Sequence, residues 1–182
     1  MADASAAKRA RGHALDATVT TAALPLSGDP RGVFVQADGT RLMGTSEDTV
    51  LALSRSGRPA VIAGSESEDG FEDGKGASAR FNEPYGLTVD AAGSIVVADC
   101  CNHAIRTVSL AGQVDTLAGN AEAGFADGQG AAARFNQPCD VVLGVNGELF
   151  VSDTENHAIR AVTAAGAVRT LAGNGEAGFA SK

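Results

Sequence analysis

Two groups of residues that could do chemistry recur in this chain at the same spacing. The groups are Asp99, Asn102, His103 and Arg106, and then Asp153, Asn156, His157 and Arg160. A histidine near a carboxylate is a combination used for acid–base catalysis, and both side chains ligate metal ions. A catalytic centre is normally made once, whereas this pattern is made twice. The repetition therefore favours a structural role for all eight residues.

Each residue type in the pattern suits a structural task beside a turn. A carboxylate at the end of a strand, as at Asp99, accepts hydrogen bonds from free turn amides, and Asn102 tolerates unusual φ and ψ angles. Arg106 carries a rigid fork of donors that suits carboxylates or the carbonyl groups of the next repeat, with Asp99 as a natural partner. We expect the histidines to pack and to form hydrogen bonds between repeats.

Three cysteines, Cys100, Cys101 and Cys139, complete the set of reactive side chains. Together with the histidines they suggest a zinc site, but their spacings match no zinc module. An odd number of cysteines does not indicate a disulfide framework. We expect free thiols, no bound metal and no cofactor.

The elements that position these residues belong to a repeat of 54 residues. Residues 71–81 read FEDGKGASARF, and residues 125–135 read FADGQGAAARF. A degenerate copy precedes them, with Asp48-Thr49-Val50-Leu51-Ala52 in place of the NHAIR segment. We predict a tail at 1–26, whose contribution of one outer strand is left open, followed by repeats at about 27–80, 81–134 and 135–182.

Each repeat contains four short apolar runs separated by turns. In the middle copy they are Gly86–Val89, Ile95–Ala98, Ala104–Leu110 and Val114–Leu117. Such runs predict an antiparallel meander, and the unbroken apolar run at 95–98 is typical of a strand buried on both faces. Four strands in about fifty residues predict an all-β fold of β-propeller blades, here about three blades of a partial propeller.

The combined pattern resembles the NHL repeat. The pattern reads F-N-x-P, then V/F-V-A/S-D-x-x-N-H-A-I-R, then T-L-A-G-N, and the linker reads GFxDGxGxxARF. The resemblance covers roughly residues 30–182 and implies a propeller that usually has about six blades. Related repeats often stand beside other modules and bind protein or RNA partners.

Composition and charge narrow the classes of partner. The chain has 182 residues, of which 44% are hydrophobic and 20% charged, and its net charge is −8. The sequence contains no set of basic residues that would form a surface for binding nucleic acid. No stretch approaches the roughly 20 apolar residues of a membrane span. The first thirty residues lack a secretory apolar segment, so we expect a cytoplasmic protein, with organelle targeting left open.

Two functions remain open from the sequence. The first is a non-catalytic scaffold that binds a protein, or another ligand, through its long loops. The second is a propeller enzyme of the lactonase or lyase type with a metal in its central channel. Such an enzyme draws single ligands from different blades, and the sequence offers no carboxylate–histidine set that occurs only once on inner strands. The scaffold is therefore preferred.

The candidate partner surface lies at one end of the predicted blades. In a four-stranded meander, the second-to-third turn and the exit from the fourth strand share an end, which would also hold the long linkers. The residues there that differ between copies are Tyr85, Cys100, Cys101, Cys139, Thr154 and Glu155. We also expect three blades to leave exposed sheet faces, so that the chain self-associates or is part of a longer propeller.

Overall fold

The computed structural model describes residue 26 and residues 28–178, and it folds them into three antiparallel sheets. The strands are β1 (Pro30–Val35), β2 (Arg41–Thr45), β3 (Thr49–Leu53), β4 (Pro59–Gly64), β5 (Gly74–Lys75), β6 (Pro84–Val89), β7 (Ile95–Asp99), β8 (Ala104–Val108), β9 (Gln113–Gly119), β10 (Gly128–Gln129), β11 (Pro138–Leu143), β12 (Leu149–Asp153), β13 (Ala158–Val162) and β14 (Ala167–Ala172). None of the helices in the described part is long and apolar enough to cross a membrane.

Each sheet is one propeller blade. The orders are β1-β2-β3-β4 for blade 1, β5-β9-β8-β7-β6 for blade 2 and β10-β14-β13-β12-β11 for blade 3. The all-β prediction of antiparallel blades is confirmed, and the four predicted runs of the middle repeat overlap β6 to β9, although the third run extends to Leu110 and β8 ends at Val108. The outer strand left open for the tail lies outside the described residues, except at Leu26.

Each sheet has one innermost strand, namely β1, β6 and β11 in blades 1, 2 and 3. These three strands pack side by side and form the inner edge of the array. Their backbones approach closely. A Cβ atom on Gly86 of β6 would lie 2.1 Å from the Asp140 carboxylate on β11. Only glycine fits at this position, so the blades can converge toward a common axis.

Two apolar seams join the blades, and β7 contributes to both. Ile95 and Val97 pack into the seam with blade 1, whereas Val96 and Ala98 pack into the seam with blade 3. Burial of a Val or Ile side chain contributes about 1.5–3 kcal/mol. The apolar run at 95–98 is therefore a strand buried on both faces, as its sequence predicts.

The linkers follow a path that the sequence does not reveal. The linker after β4 runs along the outer strand β9, pairs with it through β5, and reaches the far end of the blade. There the Gly76 N–H donates to the Gly112 carbonyl at 2.9 Å. The chain then returns antiparallel to itself through a bridge between Glu72 and Arg80. The sequence predicts that each linker stays at the end of the blade where the fourth strand ends, and this is wrong for the middle of the linker. There the short strands β5 and β10 pair with the outer strands β9 and β14, so the linker runs along the blade to its opposite end.

Candidate functional site

One end of the blades brings the turns and the starts of the inner strands together, and we call it the linker end. Single turns of 3-10 helix at Cys100–Asn102 and Thr154–Asn156 join the second and third strands of blades 2 and 3. The Cys100 N–H donates to the Glu83 carbonyl, and the Cys101 N–H to the Asn82 carbonyl, both at 3.1 Å. These bonds join the turn of blade 2 to the segment just before β6. In blade 3 the Thr154 and Glu155 N–H groups donate to the Gln137 and Asn136 carbonyls, which joins that turn to the segment just before β11.

Asp99 is fully buried and serves as the acceptor at the centre of this end. It accepts from the Asn82 N–H at 2.9 Å, from Asn102 Nδ2 at 2.9 Å and from Arg106 Nη1 at 2.7 Å. Burial raises the pKa of Asp99 to about 6, against the opposing effect of the Arg106 guanidinium. Asp153 has the equivalent partners, namely Asn136, Asn156 and Arg160.

Arg106 is also fully buried, and it ties the linker to the blade. Its guanidinium donates to Asp99, to Asp73 at 2.8 Å, and to the carbonyls of Glu72 and Arg80. The expectation that it reaches the next blade is wrong. Its partners lie in its own blade and in the linker leading to it, because the returning linker covers this side of the blade.

The same contacts explain the recurring spacing within the linker. The guanidinium of Arg106 lies 4.7 Å from the ring centre of Phe71 and 5.3 Å from that of Phe81. Arg160 repeats the arrangement with Phe125, Phe135 and Asp127. The two phenylalanine rings and the aspartate of GFxDGxGxxARF therefore all contact the guanidinium of one buried arginine. Sequence reasoning missed Asp73 and Asp127, although both recur at the repeat spacing.

His103 connects neighbouring blades. The residue adopts the left-handed conformation, with φ of 51°, and its Nδ1 accepts from the Gln137 N–H at 3.1 Å. In the other seam, Asp48 replaces the histidine, and its carboxylate accepts from the Glu83 N–H at 2.7 Å. His157 has the same backbone conformation, but within the described residues its ring makes no hydrogen bond.

This difference predicts unequal effects of two matched substitutions. His103→Ala is expected to lower the free energy of unfolding by about 1 kcal/mol because one inter-blade hydrogen bond is lost. His157→Ala carries the same backbone strain at positive φ without losing such a bond, and it serves as the control. Chemical denaturation of both variants is the measurement, and equal losses would contradict the role given to His103.

The His103 bond also predicts a dependence on pH. Burial lowers the pKa of His103, and only the neutral ring can accept the Gln137 N–H. The unfolded chain therefore binds the proton more readily than the folded chain does. The stability from this bond is complete above the unfolded-state value of about 6.5 and is lost as the pH falls below it. His103→Ala is expected to flatten the pH dependence of unfolding in that range, and an unchanged slope would argue against the bond.

The candidate partner surface is only partly exposed. Cys101, Thr154 and Glu155 are exposed on the two turns, whereas Tyr85 and Cys139 are half-buried on the inner strands β6 and β11. The expectation that Cys100 belongs to this surface is wrong. Its side chain is buried in the seam and faces the Cys139 thiol.

A cleft lies along the inner strands beside this surface. Its volume is about 350 Å³, and its lining includes Arg31, Tyr85, Cys139 and Asp140. The first three occupy the same position in successive blades, and the Arg31 guanidinium stacks over the Tyr85 ring at 5.2 Å. In the described part of the chain, no group of three His, Cys, Asp or Glu side chains could hold a metal ion. The inner strands thus present a different side chain at this position in each blade.

The sequence comparisons identify the repeat. The model of the NHL repeat matches residues 81–107 and 135–161. Protein SUPPRESSOR OF QUENCHING 1, chloroplastic, from Arabidopsis thaliana is 38% identical over 92 residues, which is 50% of this chain and 9% of that protein. The chain thus spans about a tenth of this relative's length.

Solved structures support the fold. A structural genomics protein of unknown function from Bacteroides thetaiotaomicron matches with a TM-score of 0.64 and 26% identity, over 81% of this chain and 37% of that one. A catalytically inactive virginiamycin B lyase from Staphylococcus aureus matches with a TM-score of 0.61 over 87% of this chain and 46% of that one. The lyase is 16% identical, so its similarity shows the fold alone. Residues 81–107 and 135–161 therefore match the NHL repeat, and both segments lie in sheets with the fold of β-propeller blades.

Proposed function

We propose that this chain is a non-catalytic NHL-repeat scaffold that binds a protein partner at the linker end of its blades. One observation supports the proposal: the polar residues that recur in blades 2 and 3 are buried, whereas residues that differ between these blades are exposed at the linker end. Asp99, Asn102 and Arg106 are buried, and Asn102 and Arg106 both donate to the Asp99 carboxylate inside the fold. Cys101 and Glu155, which differ between copies, are exposed on a rigid framework, where binding sites usually lie.

The charge of this end favours a basic partner. The whole chain has a net charge of −8. Glu155 is exposed on its turn, and the exposed Asp69 lies beside the start of blade 2, where its carboxylate accepts from Asn82 at 3.0 Å. Acidic residues on a surface accelerate association with a basic protein, and salt screens this attraction. Capture of the partner is therefore expected to weaken as the salt concentration rises.

The test compares two charge-matched double variants as baits. Cys101→Lys with Glu155→Gln changes the linker end by two positive charges, and the backbone bonds of both turns remain possible. Ala92→Lys with Gln113→Lys makes the same change in charge at exposed positions of the opposite end. Captured proteins are quantified by mass spectrometry for the wild type and both variants, under reducing conditions.

The proposal expects specific partners to be lost from the first variant and kept by the second. Loss from the second variant alone would place binding at the opposite end. Equal loss from both would show that capture depends on net charge rather than on a site. Circular dichroism of the baits verifies that both variants remain folded.

A further inference from the structure

Two thiols from different blades face each other in the seam between blades 2 and 3. The Sγ atoms of Cys100 and Cys139 are 3.6 Å apart, and both cysteines are free. Cys100 lies on the turn after β7, and Cys139 is the second residue of β11. A disulfide requires a distance of about 2.05 Å between the sulfurs, so the thiols have to approach by about 1.5 Å.

The pair belongs to one seam only. At the equivalent positions of the other seam, blade 1 has Ser46 and blade 2 has Tyr85. A hydrogen bond beside the thiols joins the two blades, since His103 of blade 2 accepts from the Gln137 N–H just before β11 of blade 3. Within blade 2, the Cys100 N–H donates to the Glu83 carbonyl and fixes the turn that carries the thiol. The thiols are therefore kept together by contacts that do not depend on either sulfur.

The two thiols differ in their access to solvent. Cys100 is 4% exposed, whereas Cys139 is half-buried and lines the cleft along the inner strands. Burial raises the pKa of the Cys100 thiol. A soluble oxidant consequently meets Cys139 first, and Cys100 is positioned to resolve the oxidised sulfur.

We propose that Cys100 and Cys139 form a site of reversible oxidation, at which hydrogen peroxide creates a disulfide between two blades. The Cys139 thiolate attacks the peroxide O–O bond, which breaks to give the Cys139 sulfenic acid and, after proton uptake, water. Cys100 then attacks the sulfenic sulfur, the S–S bond forms, and a second water leaves. Two thiols and one hydrogen peroxide thus yield one disulfide and two waters, and a dithiol reductant reverses the change.

The disulfide would link blade 2 directly to blade 3. The two cysteines are 39 residues apart, so the closed loop contains the whole linker between these blades. A cross-link of this length stabilises the folded chain mainly by restricting the unfolded one. The apparent melting temperature is expected to rise by roughly 5–10 °C on oxidation. The formation of this disulfide requires no knowledge of the partner that the scaffold binds.

The test uses the wild-type chain of 182 residues and variants that each carry a single substitution. The reduced protein is titrated with hydrogen peroxide, and the thiols that remain free are alkylated. The protein is then digested with trypsin without reduction, and the peptides are identified by mass spectrometry. The expected product links the peptide spanning 81–106 to the peptide spanning 135–160 within one chain. Because the first peptide also holds Cys101, the variant Cys101→Ser is mapped in parallel and is expected to cross-link and gain stability as the wild type does.

Cys139→Ser and Cys100→Ser serve as the matched negative variants. Each is expected to keep its melting temperature on oxidation, and a dithiol is expected to return the wild type to its reduced value. A disulfide between Cys100 and Cys101, a link between chains, or loss of the cross-link in Cys101→Ser would overturn the proposal. So would oxidation of Cys139 to sulfinic acid with no cross-link formed.

Discussion

Arg106→Leu is expected to lower the free energy of unfolding by about 3–5 kcal/mol, because it removes one partner of a buried ion pair. The change leaves the Asp99 carboxylate fully buried without its cation. It also removes the donors to Asp73 and to two linker carbonyls, and the cation between Phe71 and Phe81. The linker is thus released together with the ion pair.

Blade 1 indicates how this loss can be partly reversed. At the position of Asp99 it has Thr45, whose hydroxyl is 2.9 Å from that of Thr49, and at the position of Arg106 it has Leu51, which is buried among apolar side chains. The double variant Asp99→Thr/Arg106→Leu introduces the blade 1 residues at these two positions, although Ala104 stands where blade 1 has Thr49 and offers no hydroxyl to the new threonine. It is expected to be more stable than Arg106→Leu by about 1–3 kcal/mol because no uncompensated charge remains buried.

Chemical denaturation followed by circular dichroism measures both effects. The control is Arg169→Leu, because Arg169 is 54% exposed in its ion pair with Glu148, and such pairs contribute at most about 1 kcal/mol. If Arg106→Leu is no more destabilising than Arg169→Leu, the buried pair does not hold the linker to the blade. If the double variant is less stable than Arg106→Leu, the carboxylate is not the source of the loss.

The blades could be predicted because their determinants are local in the sequence. A repeat of 54 residues with four apolar runs defines each meander, and Gly93 and Gly112, both at positive φ, mark two of its turns. The doubly buried strand at 95–98 is also evident, since its side chains are apolar on both faces. The pairing of Asp99 with Arg106 follows from chemistry and from their proximity in the chain.

Contacts that depend on how blades and linkers pack could not be predicted. The sequence does not reveal that a linker pairs with an outer strand, because Gly74 and Lys75 carry no strand pattern of their own. The carbonyls that surround Arg106 have no side-chain signature. The burial of Cys100 beside Cys139 depends on the alignment of neighbouring blades, which intra-repeat spacing does not define.

The purified 182-residue chain is expected to self-associate because both outer blades expose faces that are covered in blade 2. On blade 3, Ile159 is 42% exposed, whereas its equivalent in blade 2, Ile105, is fully buried in a seam. On blade 1, Val33 is 63% exposed, whereas its equivalent Leu87 is 5% exposed. The exposed face of blade 3 is equivalent to the face of blade 2 that packs against blade 3. It is therefore suited to pack against the exposed face of blade 1 in another copy of the chain.

The expected association is heterologous, with blade 3 of one copy against blade 1 of another. Two copies that meet at both faces form a six-bladed ring of twice the monomer mass, whereas contacts that fail to close form chains that grow with concentration. Light scattering after size-exclusion chromatography distinguishes these outcomes. Ile159→Glu is expected to raise the dissociation constant at least about tenfold, since an unpaired carboxylate in an apolar seam costs more than about 1.4 kcal/mol.

Val145→Glu provides the matched control for this prediction. Val145 is fully exposed on the turn between β11 and β12, away from both open faces, so the same added charge is expected to leave association unchanged. A wild-type chain that remains a compact monomer and unfolds cooperatively would overturn the prediction. It would mean that three blades are stable with both terminal seam faces in water, and that the two seams within the chain supply enough apolar burial by themselves.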